Sequence, residues 1–380
     1  MKILFFSAHF PPYGYGGEIV AGHLVAGLVE RGHRVMVVTS HGARALPDRE
    51  DFNGATVYRF PFWNAVADRD IDAIAAGRRW LAEAKRAYRP DVVHLNTISP
   101  VDLFHWRTCD AWTVPTLVTL QGTLDERFCR PLKPNTVFDH ALRRADGLVA
   151  CSAAVLAELS EILLSAAERC RLVYNGVPTP ARAPSPPVVT PPRLLVLGRL
   201  VPEKEVDIAL SVFARVRAAF PAARLVIAGG GPEEERLRRR ARELQVADAV
   251  EFPGRVAPVE VPELLDAASL VLVPSRAETF GLVALEAALM QRPVVASRVG
   301  GLAEVVADGL TGVLVSAGDA GAMAEATIAL LGDEARCRRL GLAARRRAQA
   351  LFSHDRYVDG YAEEYALLLR HAESGGRLEQ

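Results

Sequence analysis

The sequence predicts an α/β protein made of two Rossmann-like, doubly wound parallel-sheet domains facing across a cleft. Short apolar runs alternate with amphipathic stretches along the chain, the pattern of strands buried on both faces and joined by helical crossovers. A length of 380 residues is long for one core and comfortable for two. A proline-rich stretch at 178–192, PTPARAPSPPVVTPP, interrupts the alternation, which then restarts.

In the first half the strand candidates are KILFFSA, HRVMVVTS, ATVYRF, DVVHL, TLVTL, GLVAC and CRLVYN. In the second half they are RLLVLG, ARLVIAG, AVEFPG, LVLVPS, PVVAS and GVLV. Helical patterns lie between most of them, as from Glu18 to Glu30 and from Val206 to Phe220. The expected division is a first domain over 1–178, a semi-rigid linker over 179–192 and a second domain over 193–353. The tail DRYVDGYAEEYALLLR reads as one more helix.

Composition narrows the class. Half the residues are hydrophobic and 24% are charged, as in a soluble globular enzyme. Lys plus Arg equals Asp plus Glu at 45 each, which gives no electrostatic reason to expect nucleic-acid binding. The five cysteines, Cys109, Cys129, Cys151, Cys170 and Cys337, are scattered without a C-x-x-C and read as reduced thiols of a cytoplasmic protein. Pro11 and Pro12 end the first apolar run before it reaches signal-peptide length, and no run approaches the ~18 residues of a membrane span.

Four segments carry candidate chemistry. PPYGYGGE follows the first strand, and Gly16 and Gly17 allow the backbone to approach a phosphate at a helix N-terminus; an ordinary tight turn fits equally. Ile19 stands where a dinucleotide fingerprint needs glycine, and the second strand ends in Thr39 and Ser40 with no acid for a ribose. GRLVPEKE places Arg199 and Lys204 at the C-terminal edge of a parallel sheet, where two fixed cations suit a diphosphate; a solvated loop is the plainer reading. In ETFGLVALEAALM, Glu278 precedes a helix expected to start near Phe280 to Leu282, and Glu286 lies inside it. Eight helical residues span about 12 Å, so one acid can meet a hexose and the other a ribose, with the helix N-terminus between them for the phosphates. GGLAEVVADGLTG offers a further glycine loop, read first as a turn.

Asp68-Arg69-Asp70 has the form of a metal-holding D-x-D, yet it opens an amphipathic helix and fits first-turn acids better. The histidines show no ligand spacing, so no metal and no cofactor is expected. The arginine runs at 236–242 and 345–350 read as solvated helix faces, with a peripheral membrane patch as the alternative.

Taken in order, PYGYGGE, ERGHRVMVVT, PDVVHL, YNGV, LGRLVPEK, LVIAGGGPE, ETFGLVALEA and GGLAEVVADGLTG resemble the retaining glycosyltransferases of family 4, which have the GT-B fold. The resemblance spans nearly the whole chain, and E-x7-E at Glu278 and Glu286 is its signature. It implies that Arg199 and Lys204 clamp a diphosphate, that Glu278 holds donor-sugar hydroxyls and that Glu286 holds the ribose. It implies backbone contacts to phosphate or sugar from Phe280, Gly281 and Leu282, and a first-domain phosphate contact at Gly16 and Gly17. Arg255 and Val256 fall where the family holds the base. Gln121 and Asn175 fall beside the substrate, and the tail helix, 354–375, returns to the first domain.

Three departures stand out. Gln121 replaces a usual histidine, Asn96 replaces a second one, and Glu205 replaces the glycine after the clamp lysine. The implied reaction moves a hexosyl group from a nucleotide diphosphate sugar to a hydroxyl of a glycan, lipid-linked glycan or small molecule, with retention. A donor phosphate oxygen serves as base, and closure about Asn175 to Thr179 excludes water. Asp125 and Glu126 are protein nucleophile candidates to exclude. A nucleotide-sugar 2-epimerase and a silent sugar-nucleotide-binding subunit are the alternatives.

Overall fold

The computed structural model describes residues 1–14, 16–42, 44–122 and 136–374. They form two compact units: Met1–Gly176 together with the segment from His354 onward, and Val177–Ser353.

The first unit is built on β1 (Lys2–Phe6), β2 (Arg34–Thr39), β3 (Arg49–Phe52), β4 (Ala55–Arg59), β5 (Val92–Leu95), β6 (Thr116–Leu120), β7 (Gly147–Ala150) and β8 (Cys170–Leu172). Among the described residues these make one eight-stranded sheet in the order β3-β4-β2-β1-β5-β6-β7-β8. All pairs are parallel except β3–β4. β3 is polar and lies outside the strand candidates. Its sequence signal is the Asn53-Gly54 pair that joins it to β4, with φ of 51° and 83°; a two-residue hairpin turn needs two left-handed residues of this kind.

Side chains alternate across β1. Phe5 meets the His94 ring at 4.8 Å, and Phe6 meets the His105 ring at 5.7 Å on the other face. The first face is covered by the helices Gly16–Glu30 and His354–Glu373. The last helix brings Tyr357, Tyr361 and Tyr365, all buried, over a polar row. Tyr365 Oη lies 2.7 Å from His94 Nδ1, His94 Nε2 lies 2.8 Å from Thr119 Oγ1, and Tyr361 Oη lies 3.0 Å from the same Oγ1. Burial pushes the His94 pKa down to about 3, so the ring is neutral and takes part in the network as one donor and one acceptor.

The second face carries the helix Ile71–Tyr88. Asp70 caps it, its Oδ1 accepting from Ala73 N–H at 2.9 Å, which accounts for the second acid of Asp68-Arg69-Asp70.

The second unit has β9 (Arg193–Leu197), β10 (Arg224–Ala228), β11 (Val250–Gly254), β12 (Leu270–Val273), β13 (Val294–Ser297) and β14 (Gly312–Val315). They form an all-parallel six-stranded sheet in the order β11-β10-β9-β12-β13-β14. Its core gathers Val196, Leu210, Phe213, Ile227, Leu272 and Val295. The proline-rich stretch lies within this unit: Val189 enters the core, and Asp266 accepts from Ser185 N–H at 2.8 Å and Arg182 Nη2 at 2.9 Å. Segment 179–192 is therefore fastened to the second unit rather than standing clear as a spacer.

The arginine runs are largely engaged within that unit. Arg236 pairs with Glu233 at 2.6 Å, Arg238 with Glu234 at 2.8 Å and Arg240 with Glu243 at 3.2 Å. Arg347 donates to the Glu304 carbonyl at 2.8 Å. Cys109, Cys170 and Cys337 are free thiols, while Cys129 lies outside the described residues. No described helix is long and apolar enough to cross a membrane.

The tyrosine row gives a direct test of how the tail helix supports the first unit. Tyr365→Phe removes the partner of a fully buried His94 nitrogen and is expected to cost about 1–3 kcal/mol. Urea unfolding followed by near-ultraviolet circular dichroism measures it, and an unchanged midpoint contradicts the role.

Candidate active site

In the second unit, β9 has β10 on one side and β12 on the other. Connections leaving the two sides diverge, which opens a crevice at the C-terminal edge between β9 and β12. The residues Gly198, Arg199, Lys204, Ser275, Glu278 and Gly281 line one recess there.

The loop after β9 is set by close backbone contact. Gly198 and Gly229 have φ of 144° and 147°, and a Cβ on Gly229 would lie 1.7 Å from the Gly198 carbonyl oxygen. Gly198 N–H donates to Ala228 O at 2.9 Å and Leu200 N–H to Gly230 O at 3.1 Å. Arg199, between them, is left at the exposed rim. A single 3-10 turn, Pro202–Lys204, follows and ends at Glu205, which is left-handed at φ 44°. A glutamate thus holds a left-handed conformation that favours glycine, at a cost of roughly 1–2 kcal/mol. One Glu205 carboxylate oxygen, Oε2, is buried without a hydrogen-bond partner among the described residues.

The loop after β12 comes to meet it. Arg276 N–H donates to Glu203 O at 2.9 Å. Lys204 Nζ donates to Glu278 Oε2, and Ser275 Oγ donates to the same oxygen at 3.4 Å. The Lys204 and Glu278 side chains keep 25% and 16% exposure, so the pair is partly desolvated and holds the two side chains together across the crevice.

Glu278 is held from behind by glycines. A Cβ on Gly300 (φ 43°) would sit 2.0 Å from the Glu278 carbonyl oxygen, and one on Gly301 would sit 2.4 Å from Phe280 Cα. Gly301 N–H donates to Glu278 O at 3.1 Å. The close approach these glycines permit is to protein backbone, which supports the turn reading of that segment. Phe280 is 2% exposed and meets the Phe352 ring edge-on at 5.6 Å, so its side chain belongs to the core.

Gly281, left-handed at φ 98°, opens the helix Leu282–Leu289 without a side-chain cap. Ala284 and Leu285 N–H donate to Gly281 O at 2.9 and 3.1 Å, which leaves the Leu282 and Val283 N–H groups, without intrahelical acceptors by position, suited to an anion. Only the part of the Glu278–Glu286 stretch from Leu282 onward is helical, so the two-turn separation expected from the sequence is replaced by a loop and one turn. Glu286 remains partly exposed as a residue, yet burial of its carboxyl pushes the pKa from 4.5 up to about 7. β11 ends at Gly254, whose carbonyl accepts from Gly229 N–H at 2.8 Å. Arg255 then lies over Gly230, where an added Cβ would be 3.1 Å from its Cγ, and Val256 follows, half-buried.

The first unit holds the other candidates. Gly16 opens the helix Gly16–Glu30, and a Cβ on Gly17 would meet nothing within 4 Å. Gln121, after β6, and Asn175, after β8, exchange two hydrogen bonds: Gln121 Nε2 donates to Asn175 Oδ1 at 3.2 Å, and Asn175 Nδ2 donates to Gln121 Oε1 at 2.9 Å. Asn96 is fully buried, with neither side-chain polar atom bonded among the described residues. Asp125 and Glu126 lie outside the described residues. No group of three or more His, Cys, Asp or Glu placed to hold a metal occurs among the described residues. Ser275 and the backing role of Gly300 and Gly301 escaped the sequence reasoning; the P-S ending of LVLVPS was the available signal for Ser275.

Residues 15–180 match the family model Glycosyltransferase Family 4, and residues 179–347 match Glycosyl transferases group 1. The chain is 30% identical over 402 residues to the glycogen synthase of Mycobacterium tuberculosis, covering 96% of this chain and 94% of that protein. The protein belongs to glycosyltransferase family 4. It resembles sucrose-phosphate synthase from Thermosynechococcus elongatus with a TM-score of 0.83 at 24% identity, covering 97% and 99% of the two chains. It also resembles Anabaena HepE in complex with UDP-glucose, with a TM-score of 0.79 at 21% identity over 97% and 100%. Both likenesses show the GT-B fold. This family 4 glycosyltransferase is accordingly a hexosyltransferase-type enzyme that takes its sugar from a nucleotide-sugar.

Within this family 4 glycosyltransferase, the glycine backing can be tested. Gly300→Ala is expected to displace Glu278 and lower kcat/KM by about tenfold or more, with most of the loss in turnover. Steady-state kinetics alongside thermal melting checks it. An intact fold with unchanged kinetics contradicts the backing role.

Proposed function

We propose that the enzyme transfers a hexosyl group from a nucleoside diphosphate sugar to a hydroxyl acceptor with retention of anomeric configuration, and without a divalent metal. The observation that carries this reading is the meeting of Lys204 with Glu278 across the β9–β12 crevice, beside the rim cation Arg199 and the start of the Leu282–Leu289 helix. Cations and N–H dipoles from one edge of the crevice suit the diphosphate, and the carboxylate they flank suits sugar hydroxyls.

In the reaction the bond from the anomeric carbon to the phosphate oxygen breaks, and a bond from that carbon to the acceptor oxygen forms on the same face. The acceptor proton passes to a donor phosphate oxygen. Negative charge grows on the leaving diphosphate, and Arg199, Lys204 and the helix N-terminus are placed to stabilise it. Glu278 orients the hexose and keeps Lys204 in position. Glu286 accepts from the ribose hydroxyls, and Arg255 with Val256 borders the base. Phe280, Gly281 and Leu282 offer backbone contacts to the phosphates, and Gly16 and Gly17 offer an open helix N-terminus on the first unit. Gln121, fixed by Asn175, serves as a non-titrating hydrogen-bonding group on the acceptor side. UDP-glucose, the ligand named for HepE, is the first donor to try.

Two outcomes are expected. Arg199→Ala and Lys204→Ala should each lower kcat by about 10²–10³ in buffer containing EDTA, with the fold intact by circular dichroism. Wild-type rates in both variants, or wild-type activity that needs added manganese, sink the clamp or the metal independence respectively.

The glutamates should separate by ligand and by pH. Glu286→Gln should weaken UDP and UDP-sugar alike, whereas Glu278→Gln should spare UDP and slow the intact donor. As pH falls through about 7, Glu286 gains a proton and loses an acceptor, so wild-type UDP affinity should fall on the acid side and Glu286→Gln should flatten that dependence. Calorimetry across this range decides, and equal loss of UDP affinity in both variants refutes the two roles.

A further inference from the structure

On the sheet face of the first unit opposite the Gly16–Glu30 helix, a solvent-open groove of about 450 Å³ runs between the helix Ile71–Tyr88 and the segment 107–111. Its floor is made of small residues, Ala75, Ala82 and Ala111. Its walls carry Arg78, Arg79, Arg86 and Arg107, all exposed. On other helices Arg236, Arg238, Arg240 and Arg338 each pair with a nearby acid. None of the four groove guanidinium groups has an ion pair or a side-chain hydrogen bond among the described residues. The groove's carboxylates are Glu83 and Asp110, so positive charge is in excess.

The wall that carries Arg107 is fixed from below. Lys85 is fully buried, and its Nζ donates to Thr108 O at 3.1 Å and His105 O at 3.3 Å, with His105 Nδ1 also at 3.1 Å. These two carbonyls bracket Arg107, and among the described residues no carboxylate bonds the lysine. Burial lowers the Lys85 pKa to about 8, so at neutral pH most of it stays charged and adds to the field in the groove.

We propose that this groove binds a soluble ligand carrying two or more phosphate groups. Guanidinium forks match phosphate oxygens in pairs. Arg78 and Arg86 are eight residues apart on one helix, about 12 Å along its axis, so the positive charge is spread along the groove and suits a ligand with more than one phosphate. The concave shape with a small-residue floor admits a chain-like anion and suits a flat bilayer poorly. The site is separate from the sugar-transfer residues, and its test does not depend on them.

Calorimetric titration of the full chain with inorganic tripolyphosphate tests the proposal. The wild type should bind, the double variant Arg78→Glu/Arg86→Glu should bind at least about tenfold more weakly, and added salt should weaken wild-type binding. Lys204→Ala serves as the control for anion binding at the other unit and should retain the groove event. Arg107→Ala, a milder change, should also lower affinity if the double variant proves poorly folded. Equal affinity in wild type and groove variants overturns the proposal. So does the absence of tripolyphosphate binding together with sedimentation on phosphatidylglycerol vesicles that the double variant loses, which assigns the groove to a membrane surface.

Discussion

The adjacency of β9 and β12 governs the second unit. The strands are hydrogen-bonded neighbours, Leu195 in register with Val271, although more than seventy residues separate them in the chain. Their following loops therefore leave the same edge of the sheet, and Lys204 can reach Glu278 only because of that pairing. Everything else at the crevice refines it. Gly198 and Gly229 let the β9 and β10 loops interlock, Gly300 and Gly301 press the Glu278 turn forward, and the Arg276–Glu203 backbone bond ties the two rims. The parallel sheet is the frame, and the glycines are the positions where backbone must come closer than a side chain would allow.

The electrostatics of the crevice are graded by exposure. Arg199 sits at the rim in water, Lys204 and Glu278 are partly covered and mutually bonded, and Glu286 is desolvated enough to titrate near neutrality. A carboxylate in that state takes part in binding only when something else donates to it. In the role proposed for Glu286, hydroxyl donors from the ribose would lower its cost of ionisation and so couple ligand binding to loss of a proton. That coupling would belong to one side chain, the fifth residue of a short helix whose start is fixed by the left-handed Gly281.

Much of this was legible in the sequence, and the limits have physical causes. The buried parallel strands announce themselves as Val- and Leu-rich runs because both of their faces are covered. β3 did not, since REDF is a polar edge strand and only Asn53-Gly54 marks it. GT-B architecture followed from the ordered motifs. Glu278, Glu286, Arg199 and Lys204 could be picked by residue type and place, but the bond between Lys204 and Glu278 is a tertiary fact that spacing does not contain. The helical ruler laid from Glu278 to Glu286 failed because Gly281 interrupts it. The reciprocal amide pair of Gln121 and Asn175 was likewise invisible, since it depends on β6 and β8 flanking β7. Proline content marked a segment without helix or central strand, yet Asp266 and Arg292, far along the chain, decide where that segment lies.

The buried contacts between His94, Thr119 and the tyrosines of the last helix have a consequence for the order of events during synthesis. Domains that are continuous in sequence can fold as soon as they leave the ribosome. Here the unit that emerges first lacks one of its covering helices until residues 354–373 have been made, whereas Val177–Ser353 is a continuous stretch. The later-made unit can therefore close first, while His94 and the Thr119 hydroxyl wait uncovered through the translation of about half the chain. A nascent first unit therefore leaves that face of its sheet, with His94 and Thr119 on it, without the last helix over that interval.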